Sequence, residues 1–365
     1  MRFAFFIFTL FPLLGQFYVM WRTWHVLPIG LAYKVILMLI MVFAFGCLFI
    51  NFSATKERLP IPLTTVLYEV GTSWLIILLY LFMLYLVLDL AHLVHLIPSS
   101  FLLQNKVTSW GIFAFMLGIF VYGNIRYNHK IRREINLVSE KPLDRSIKMV
   151  MMSDLHLGYH NRKAELARWV DKMNAENPDL VLIAGDIIDN SARPLMASNM
   201  AEEFRRIKAP VYACLGNHEY YSGEPAAQQF MQDAGIRLLR DTVVLWENAI
   251  NIAGRDDRTN PYRKEVDVLM KDMDKSKYTI LLDHQPYHLE LAEQNGVDFQ
   301  FSGHTHHGQV WPISWITEAI YEDAYGPYQK GKTQYYVSSG IGIWGGKFRI
   351  GTCSEYLVVT LRPKQ

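Results

Sequence analysis

The sequence predicts an α/β protein preceded by a helical membrane region. Long apolar runs fill the first third of the 365 residues, at 3–20, 31–50, 72–97 and 108–122. Beyond them, short β-branched or Met-rich segments alternate with polar helical segments such as 163–174 and 200–207, which is the pattern of an α/β domain. The composition agrees, because 51% hydrophobic and 19% charged residues is less charge than a soluble chain usually carries.

The bulk composition also argues against two classes of protein. The net charge is +2 and no Lys/Arg-rich stripe with interleaved aromatic residues stands out, so we expect no nucleic-acid partner. The three cysteines, Cys47, Cys214 and Cys353, lie far apart and form no C-x-x-C pair, which argues against a redox or zinc motif. We interpret them as small apolar residues.

We predict a transmembrane helical domain at 1–125 with about four spans. The first three apolar runs reach or exceed the roughly 18 residues that a spanning helix needs, and the fourth extends into flanking residues. Trp21, Trp24, Trp74 and Trp110 lie near the ends of the runs, as interfacial aromatic residues do. A secretory signal is the alternative for the first run, but further spans follow it and it lacks a small-residue cleavage site.

Basic residues in the short loops predict the orientation. With a cytoplasmic N-terminus, the inner side holds Arg2, Lys56, Arg58, Arg126, Lys130, Arg132 and Arg133, and the outer side holds Arg22, Lys34 and Lys106. This bias predicts a multi-pass plasma (inner) membrane protein with everything after the last span in the cytoplasm. Removing one span would invert that prediction.

Three ionisable residues lie inside the third apolar run. Asp89, His92 and His95 recur every three residues, so a helix through the run would carry them on one broad face. Charge is costly in lipid, and such groups commonly face the bundle interior and mark a functional contact. The alternative is that they pair with one another and only fix helix packing, and the sequence leaves both interpretations open.

After a predicted basic linker at 126–144, the α/β domain at 145–365 places polar residues at the ends of its apolar segments. Five such segments end in Asp, Asn or His, usually beside glycine: Asp154 and His156; Asp186 and Asp189; Asn217 and His218; His284; His304, His306 and His307. Each motif alone is typical of a helix N-cap or a turn. Ligands bind at the carboxyl ends of strands in open α/β sheets, so five together predict a ligand site. Mixed carboxylate, amide and imidazole donors suit Mn, Fe or Zn better than Mg or Ca.

The order of these motifs resembles a known family. D-x-H, G-D-x-x-D, G-N-H-E, H-x-P and G-H-x-H between Asp154 and Gln309 resemble the calcineurin-like metallophosphoesterase superfamily. G-H-T-H-H-G-Q is similar to the G-H-T-H-G-G-Q of its bacterial membrane-associated members, and YVSSGIGIWGGKFRIG at 336–351 also resembles this branch. The helical N-terminal region resembles multi-pass members of the same group.

The resemblance implies a two-metal site on an αββα sandwich of two mixed sheets. One metal would be held by Asp154, His156, Asp186 and His306, and a second by Asp186 as a bridge with Asn217, His284 and His304. His218 would act as a general acid or charge stabiliser, and Asp189 would orient the ligands. His307, where the closest relatives have glycine, would contact substrate or occupy a loop, and the loop is favoured.

The implied activity is hydrolysis of a phosphate ester or pyrophosphate with two divalent metal ions, Mn before Fe or Zn. Two cations bind phosphate oxygens and lower the pKa of a bridging water, so that hydroxide can attack near neutral pH. The ligand histidines must be neutral, and we therefore expect activity to fall in acid.

Membrane spans point to a lipid-linked substrate. The resemblance offers a UDP-linked diacyl sugar as one option, and a phospholipid is another. An apolar lip after the histidine cluster would suit either, with core packing as its alternative: Trp311, Trp315, Ile316, Ile320, Tyr321, Tyr325 and Tyr328. In the charged loop 254–262, Arg255 or Arg258 would meet phosphate, although solvated surface is the more common role of such residues.

Two functions of other classes remain open on the sequence. The chain could be a metal-binding scaffold that has lost catalysis, although the full motif set with His218 argues against this. It could also be a transporter or sensor that works through Asp89, His92 and His95. The sequence leaves open the oligomeric state and the choice among monoesterase, diesterase and pyrophosphatase.

Overall fold

A computed structural model describes residues 2–271 and 273–364, with side chains described from residue 10 onward. The terminal residues 1 and 365 of the predicted domains lie outside this part. The chain divides into two compact units, one of 1–124 with 345–347 and one of 125–344 with 348–365.

The first unit is helical. Its long helices are α1 (Arg2–Val26), α2 (Leu31–Asn51), α3 (Ile61–Leu93) and α4 (Lys106–Asn128), with short 3-10 helices at Ala54–Arg58 and Ser99–Phe101. Within the part of the chain that the structure describes, α2, α3 and α4 are long and apolar enough to cross a membrane. The run at 3–20 forms α1, but the side chains of its first residues lie outside the described part. The count of four spans therefore stays a prediction.

Helix α3 differs from the predicted run at 72–97. It begins after Pro60 and ends at Leu93, and the Leu96 N–H then bonds back to the Ala91 carbonyl at 2.8 Å, a helix-terminating pattern. His95 has φ 61° and lies outside the helix, so the predicted helical face shared by Asp89, His92 and His95 is wrong. Hydropathy could not show this end, because the apolar residues continue to Ile97.

The second unit contains two six-stranded mixed sheets. The first has the order β1 (Lys130–Ser139), β12 (Ser354–Pro363), β2 (Ile147–Met152), β3 (Leu180–Ala184), β4 (Val211–Cys214) and β5 (Arg237–Leu238). The second has the order β10 (Gly326–Lys330), β11 (Thr333–Val337), β9 (Phe299–Ser302), β8 (Tyr278–Leu282), β7 (Ile250–Gly254) and β6 (Thr242–Trp246). Strands β2 to β5 run parallel, as do β7, β8, β9 and β11.

Helices α5 (Lys163–Ala175), α6 (Arg193–Ala197), α7 (Ala201–Phe204) and α9 (Glu224–Asp233) cover the outer face of the first sheet, and α10 (Val266–Leu269) and α11 (Leu289–Gln294) cover that of the second. Helix α8 (Asn217–Tyr221) follows β4, and helix α12 (Ile313–Ile320) follows the loop after β9. Side chains alternate along β2, where Met149 and Met151 pack between the sheets and Val150 packs against the layer of α5, α7 and α9. A third cluster joins Ala253 of β7 to α10 and α11. The predicted αββα sandwich of two mixed sheets is confirmed.

The segment 126–144 is more ordered than the predicted basic linker. Residues 126–128 complete α4, and Lys130–Ser139 form β1, a ten-residue strand that pairs in parallel with β12. Burial alternates along its second half, where Leu137 is buried and Val138 is exposed. The charged triplet Arg132, Arg133 and Glu134 hid this alternation in the sequence, because long polar side chains can occupy the open face of an edge strand.

Candidate metal centre

The predicted polar residues lie at the carboxyl ends of parallel strands in both sheets. Strands β2, β3 and β4 end at Met152, Ala184 and Cys214, and strands β8 and β9 end at Leu282 and Ser302. The residues that follow are nearly all buried, and they come together there: Asp154, His156, Asp186, Asn217, His284, His304 and His306. Strand ends in both sheets thus supply one polar cluster inside an otherwise apolar domain.

Several of these residues adopt a left-handed backbone conformation. The φ angles are 55° at Asp154, 51° at Asp186, 70° at His304 and 50° at His306. Such angles are uncommon for residues other than glycine, and they persist where surrounding structure holds them. Here the loops brace one another, since the Asp154 N–H bonds the Gly185 carbonyl at 3.1 Å.

The first ligand group gathers Asp154, His156 and His306. The Nε2 atoms of His156 and His306 lie 3.0 Å apart, and the His306 Nε2 is 3.5 Å from the Asp154 Oδ1. On its other side, the His156 Nδ1 lies 3.1 Å from the Asp189 Oδ1, which makes Nδ1 the donor and leaves a lone pair on Nε2. Two imidazole nitrogens at this distance need a proton or a cation between them.

The second ligand group gathers Asp186, Asn217, His284 and His304. The His284 Nε2 is 3.1 Å from the Asp186 Oδ2 and 3.2 Å from the Asn217 Oδ1. The His304 Nδ1 is 2.8 Å from the same Asn217 oxygen. The Asp186 Oδ2 also lies 3.6 Å from the His156 Nε2, so this one carboxylate oxygen faces both groups.

The tautomer of His284 shows that its site suits a cation. The His284 Nδ1 lies 2.8 Å from the Ala184 carbonyl oxygen and must donate to it, so in the neutral ring Nε2 has a lone pair. That lone pair would face two oxygen acceptors, which repel it. Without a metal the ring must be protonated. Although burial opposes this, the charge of Asp186 holds the pKa of His284 well above its usual range.

Charge pairing also controls the buried carboxylates. Burial alone would raise the pKa of Asp186, but His284 and His218 hold this pKa well below its usual range. Asp154 behaves in the same way, with His306 and His156 lowering its pKa against the effect of burial. Both groups are therefore ionised acceptors at neutral pH, as metal ligands must be.

Asp189 and His218 form a third group beside the first. The His218 Nδ1 lies 2.8 Å from the Asp189 backbone oxygen and 3.3 Å from its Oδ1. Asp189 thus contacts the outward nitrogen of His156 and the ring of His218 with one carboxylate. The His218 side chain keeps 19% of its surface exposed, whereas His156 is fully buried. His218 is therefore partly accessible to substrate, and so is His304.

Glu219 supports the site, although the sequence analysis assigned it no role. Its carboxylate is fully buried and accepts three backbone N–H groups, from Asp186 at 3.0 Å, Gly216 at 2.7 Å and Ile188 at 2.9 Å. It therefore ties the loop after β3 to the loop after β4. Burial, with the charge of Asp186, raises the pKa of Glu219 to about 7. Its place in G-N-H-E was the available signal, because a Glu at the third helical position caps its own helix.

Arg349 is a second residue that sequence reasoning missed. It is fully buried and donates from Nη1 to the His306 carbonyl at 2.7 Å and from Nη2 to the Ser339 carbonyl at 2.5 Å. Burial lowers its pKa to about 10. The guanidinium holds the histidine loop against the Gly-rich tail, and nothing in the local pattern distinguishes it from a surface arginine.

Arg255 does not contact the metal-ligand cluster. It is 3% exposed and its guanidinium lies 3.2 Å from Asp283 and 3.2 Å from Glu265, so its charge is already paired within the domain. The expectation that Arg255 meets phosphate is therefore not supported. Its exposed neighbour Arg258 lies 3.9 Å above the ring of Tyr287. Tyr287 in turn packs on Tyr321, whose ring centroid is 6.2 Å from that of His304.

His307 points away from both ligand groups. Its Nε2 lies 2.9 Å from the Glu318 Oε1, and its ring stacks on Tyr325 at 4.5 Å with an interplanar angle of 10°. These contacts are those of a loop residue. In the predicted lip, Trp311, Trp315, Ile316 and Ile320 are exposed, and Tyr321, Tyr325 and Tyr328 are half-buried.

Asp89, His92 and His95 of the helical unit line one cavity together with Leu90 and Leu93. The Tyr18 hydroxyl donates to Asp89 at 2.6 Å, and Arg22 forms an ion pair with the same carboxylate. His92 Nδ1 lies 3.1 Å from the Ile97 carbonyl oxygen, and His95 is exposed. The contacts of Asp89 join α1 to α3.

Similarity to known proteins identifies the family of this chain. The sequence model for calcineurin-like phosphoesterase matches residues 147–308. An uncharacterized metallophosphoesterase of Aquifex aeolicus is 32% identical over 232 residues, which are 61% of this chain and 88% of that protein. The chain belongs to the calcineurin-like metallophosphoesterase family. The family typically binds two divalent metals, and the ligand groups described above are candidates to hold them.

Two further metallophosphoesterase relatives are longer than the matched part. One from Helicobacter pylori is 32% identical over 228 residues, covering 61% of each protein. The chain thus spans less than two thirds of this relative's length. A protein of Danio rerio named "transmembrane protein with metallophosphoesterase domain" is 30% identical over 234 residues, 59% of this chain and 53% of that protein. Together with the three apolar helices, that similarity indicates a membrane protein.

Proposed function

We propose that the protein is a membrane-anchored phosphoesterase that uses two metals to hydrolyse a phosphate ester or pyrophosphate of a lipid-linked substrate. One observation carries the two-metal part. The Asp186 Oδ2 lies 3.6 Å from the His156 Nε2 and 3.1 Å from the His284 Nε2, so one oxygen is shared by two separate ligand groups. A single-metal site would need no such shared carboxylate.

The metal ligands in this proposal follow the two groups. Asp154, His156 and His306 would hold the first ion, and Asn217, His284 and His304 the second, with Asp186 common to both. Oxygen and imidazole donors in near-equal numbers fit a borderline ion, and we propose Mn before Fe or Zn. When bound, two such ions neutralise phosphate oxygens and make water a nucleophile at neutral pH.

His218 is proposed as the proton donor to the leaving oxygen. Its Nδ1 is fixed by the Asp189 carbonyl at 2.8 Å, so the proton for the leaving group would come from Nε2. In the metal-free protein, the charge of Asp186 raises the pKa of His218 against the effect of burial. Asp189 is a positioning residue, because it sets the rings of both His156 and His218.

A lipid-linked substrate is supported by the apolar helices and by the exposed lip residues that follow His306. Candidate substrates are a phospholipid and a UDP-linked diacyl sugar. Arg258 with Tyr287 and Tyr321 is the exposed polar and aromatic group beside His304, and it is our candidate for contact with the part of the substrate beyond the reacting phosphate. Basic residues at the inner ends of the helices support a plasma-membrane location with a cytoplasmic catalytic domain.

A substrate panel on the purified full-length protein tests this proposal. Metal-stripped protein reloaded with Mn²⁺ is assayed on p-nitrophenyl phosphate, bis-p-nitrophenyl phosphate, phosphatidic acid and a UDP-linked diacylglucosamine in mixed micelles. We expect metal-dependent hydrolysis, fastest on a lipid. Asp186→Asn should lower the rate of hydrolysis more than about a hundredfold, because mutating residues that only hydrogen-bond to metal ligands already lowers metal affinity or activity 10–100-fold. Its matched control, the exposed surface variant Asp171→Asn, should keep full activity.

The panel also separates the alternatives. Tight metal binding without hydrolysis of any ester would indicate a scaffold and contradict the proposal. Wild-type activity in the Asp186→Asn variant would place the chemistry elsewhere. The transporter or sensor alternative depends on Asp89, His92 and His95, which line one cavity, but Asp89 is already ion-paired with Arg22 and His95 lies outside α3.

A further inference from the structure

Helix α12 carries its apolar face toward solvent. Along Ile313–Ile320, Trp315 is 62% exposed, Ile316 52% and Ile320 59%, and Trp311 just before the helix is 41% exposed. Positions 315, 316, 319 and 320 lie on one side of a helix, so these side chains form a continuous stripe. A surface helix normally turns such a stripe toward the core. We call Trp311, Trp315, Ile316 and Ile320 the α12 patch.

The opposite, polar face of α12 is held against the domain. Ser314 is buried, and Glu318 pairs with His307 at 2.9 Å. Gly308 has φ 69° and lies so close to Ile313 and Ser314 that any side chain at this position would overlap their backbone. The Trp311 N–H bonds the Ile350 carbonyl at 2.7 Å. The histidine loop therefore fixes α12 in this orientation, and the exposure of its apolar side is built into the fold.

We propose that the α12 patch docks on the surface of the lipid bilayer. The same chain has three helices apolar enough to cross a membrane, so a bilayer is always within reach of the tethered domain. Tryptophan is the side chain most typical of the membrane interface, and Trp311 and Trp315 pack edge to face at 5.2 Å, which presents two indoles together.

The size and charge of the patch favour lipid over a second copy of the chain. A stable protein interface needs about 20–30 residues on each side, and this patch has four large side chains. Of the acidic residues near it, Glu322 is ion-paired with Lys330 at 2.7 Å, and Glu318 contacts His307. The Lys330 charge reduces the repulsion of Glu322 from anionic headgroups.

Docking would set the depth of the metal centre. His306 and Trp311 are five residues apart, and Arg349 with the Trp311–Ile350 bond keeps the intervening loop rigid. An interface helix lies with its apolar side about 5–10 Å into the headgroup region. The ligand groups would then be held near the level of lipid phosphates. This consequence rests on the proposed function, whereas docking itself requires no catalysis.

A fluorescent probe on the full-length protein tests the docking. The native cysteines Cys47, Cys214 and Cys353 are buried, so an introduced surface cysteine can be labelled selectively. Ile316→Cys is compared with Val268→Cys, an exposed apolar position on α10 with 54% of its surface accessible. Both carry an NBD fluorophore, and the protein is reconstituted in phosphatidylethanolamine/phosphatidylglycerol vesicles with or without doxyl-labelled lipid.

We expect a blue-shifted emission and several-fold stronger doxyl quenching at position 316 than at position 268. Equal, weak quenching at the two positions would overturn the proposal. Energy transfer between labelled copies that disappears on dilution with excess lipid, without doxyl quenching, would assign the patch to a second copy and also overturn it.

Replacing an apolar side chain of the α12 patch with a charged one gives a second test of docking. Trp315→Glu should abolish quenching of a probe at 316 while metal content and turnover of soluble p-nitrophenyl phosphate stay at the wild-type level, and Val268→Glu is the matched control. Unchanged quenching in Trp315→Glu would contradict docking by this patch. Quenching at 316 in a protein that hydrolyses no phosphoester would leave docking standing and refute only the proposed function.

Discussion

His218 is partly exposed, as His304 is, but it lies outside the two ligand groups. The seven predicted ligand residues contact one another through ring nitrogens and oxygens, while the Nδ1 atom of His218 is engaged by Asp189, which lies behind the ligands. Its role is therefore predicted to be in proton transfer and not in metal retention.

We predict that His218→Gln keeps both metals and loses activity according to the leaving group. General acid catalysis is worth about 10²–10⁴-fold, and it matters most when the leaving oxygen is a poor one. The loss should be large for an alkyl phosphate and small for p-nitrophenyl phosphate, measured as kcat on the two esters with elemental analysis of each preparation. Equal losses on both esters, or loss of metal, would assign His218 a structural role.

Protons and metal ions compete for the same histidines. In metal-free protein, burial opposes protonation of His156, but hydrogen bonds to Asp154 and Asp189 prevail and raise its pKa to about 10, and the pKa of His284 is also raised. A group whose folded pKa lies above its unfolded value of about 6.5 stabilises the fold fully below that value and loses this effect as pH rises. Metal binding requires the opposite protonation state.

We therefore predict opposite pH trends with and without metal. Metal-free protein should become less stable between pH 7 and pH 10, whereas Mn²⁺ affinity should rise from pH 6 to pH 8 because the protons that the metal displaces from His156 and His284 compete less well as their concentration falls. Thermal unfolding in EDTA and titration calorimetry in buffers of different ionisation enthalpy measure the two trends. Mn²⁺ binding without proton release at pH 7 would contradict this account of the histidines.

Some residues of the site could be predicted from the sequence and others could not. Asp154, Asp186, His284 and the other strand-end residues could be predicted because chemistry and strand position coincide in the sequence. Arg255 could not be judged, since its partner Asp283 lies 28 residues further along the chain and only the fold brings them together. Glu219 and Arg349 both act on backbone groups. The capping position of Glu219 in G-N-H-E was a signal that could have been used, whereas nothing in the local pattern marks Arg349.

At the scale of elements, close approach between loops is what places the ligands. Gly216 follows β4 and Gly303 follows β9, and a side chain at either would overlap Asp186 or Asp154 respectively. Both positions require glycine, because a Cβ atom there would have no room beside the ligand carboxylates. The membrane helices show the same kind of contact at Gly71, where an added Cβ would lie 2.6 Å from the Leu48 nitrogen of α2.

We predict that Gly303→Ala displaces Asp154 and removes metal from the first ligand group. Overpacking costs about 1–3 kcal/mol, so the domain should remain folded while metal content falls. The measurement is metal stoichiometry together with thermal unfolding. Gly118→Ala in α4 is the matched control, because an alanine there meets nothing within 4 Å. Full metal content in Gly303→Ala would contradict this prediction and show that the loop accommodates the added methyl group without displacing Asp154.

Elements also explain where the sequence analysis was wrong. Strand β1 was predicted as linker because Arg132, Arg133 and Glu134 mask its alternation, and ten residues of pairing with β12 outweigh their low strand preference. Helix α3 was predicted to reach Ile97 because a hydropathy run cannot show where backbone hydrogen bonds stop. Both errors concern boundaries, where local composition and tertiary pairing disagree.

At the scale of the molecule, the chain combines apolar helices with an αββα sandwich that carries the candidate metal centre. The fold class and the order of the site motifs followed from the sequence, because strand periodicity and strand-end chemistry are local properties. The pairing of twelve strands into two sheets involves distant segments, such as β1 with β12, and it came only from the structure and the family resemblance.

We predict that the C-terminal domain faces the cytoplasm. Arg126, Lys130, Arg132 and Arg133 follow the last apolar helix, and basic residues near a helix end are retained on the inner side. A C-terminal fusion to green fluorescent protein should fluoresce, and a fusion to alkaline phosphatase at the same point should be inactive. The reverse pair of results would mean an odd number of spans or an inverted orientation.

Anomalous X-ray scattering from crystals grown with Mn²⁺ tests the central claim most directly. We predict two manganese peaks about 3.5–4 Å apart, as in two-metal phosphatase sites, on either side of the Asp186 carboxylate. One peak would lie beside His156 and His306, and the other beside His284 and His304. A single peak, or peaks away from Asp186, would contradict the account.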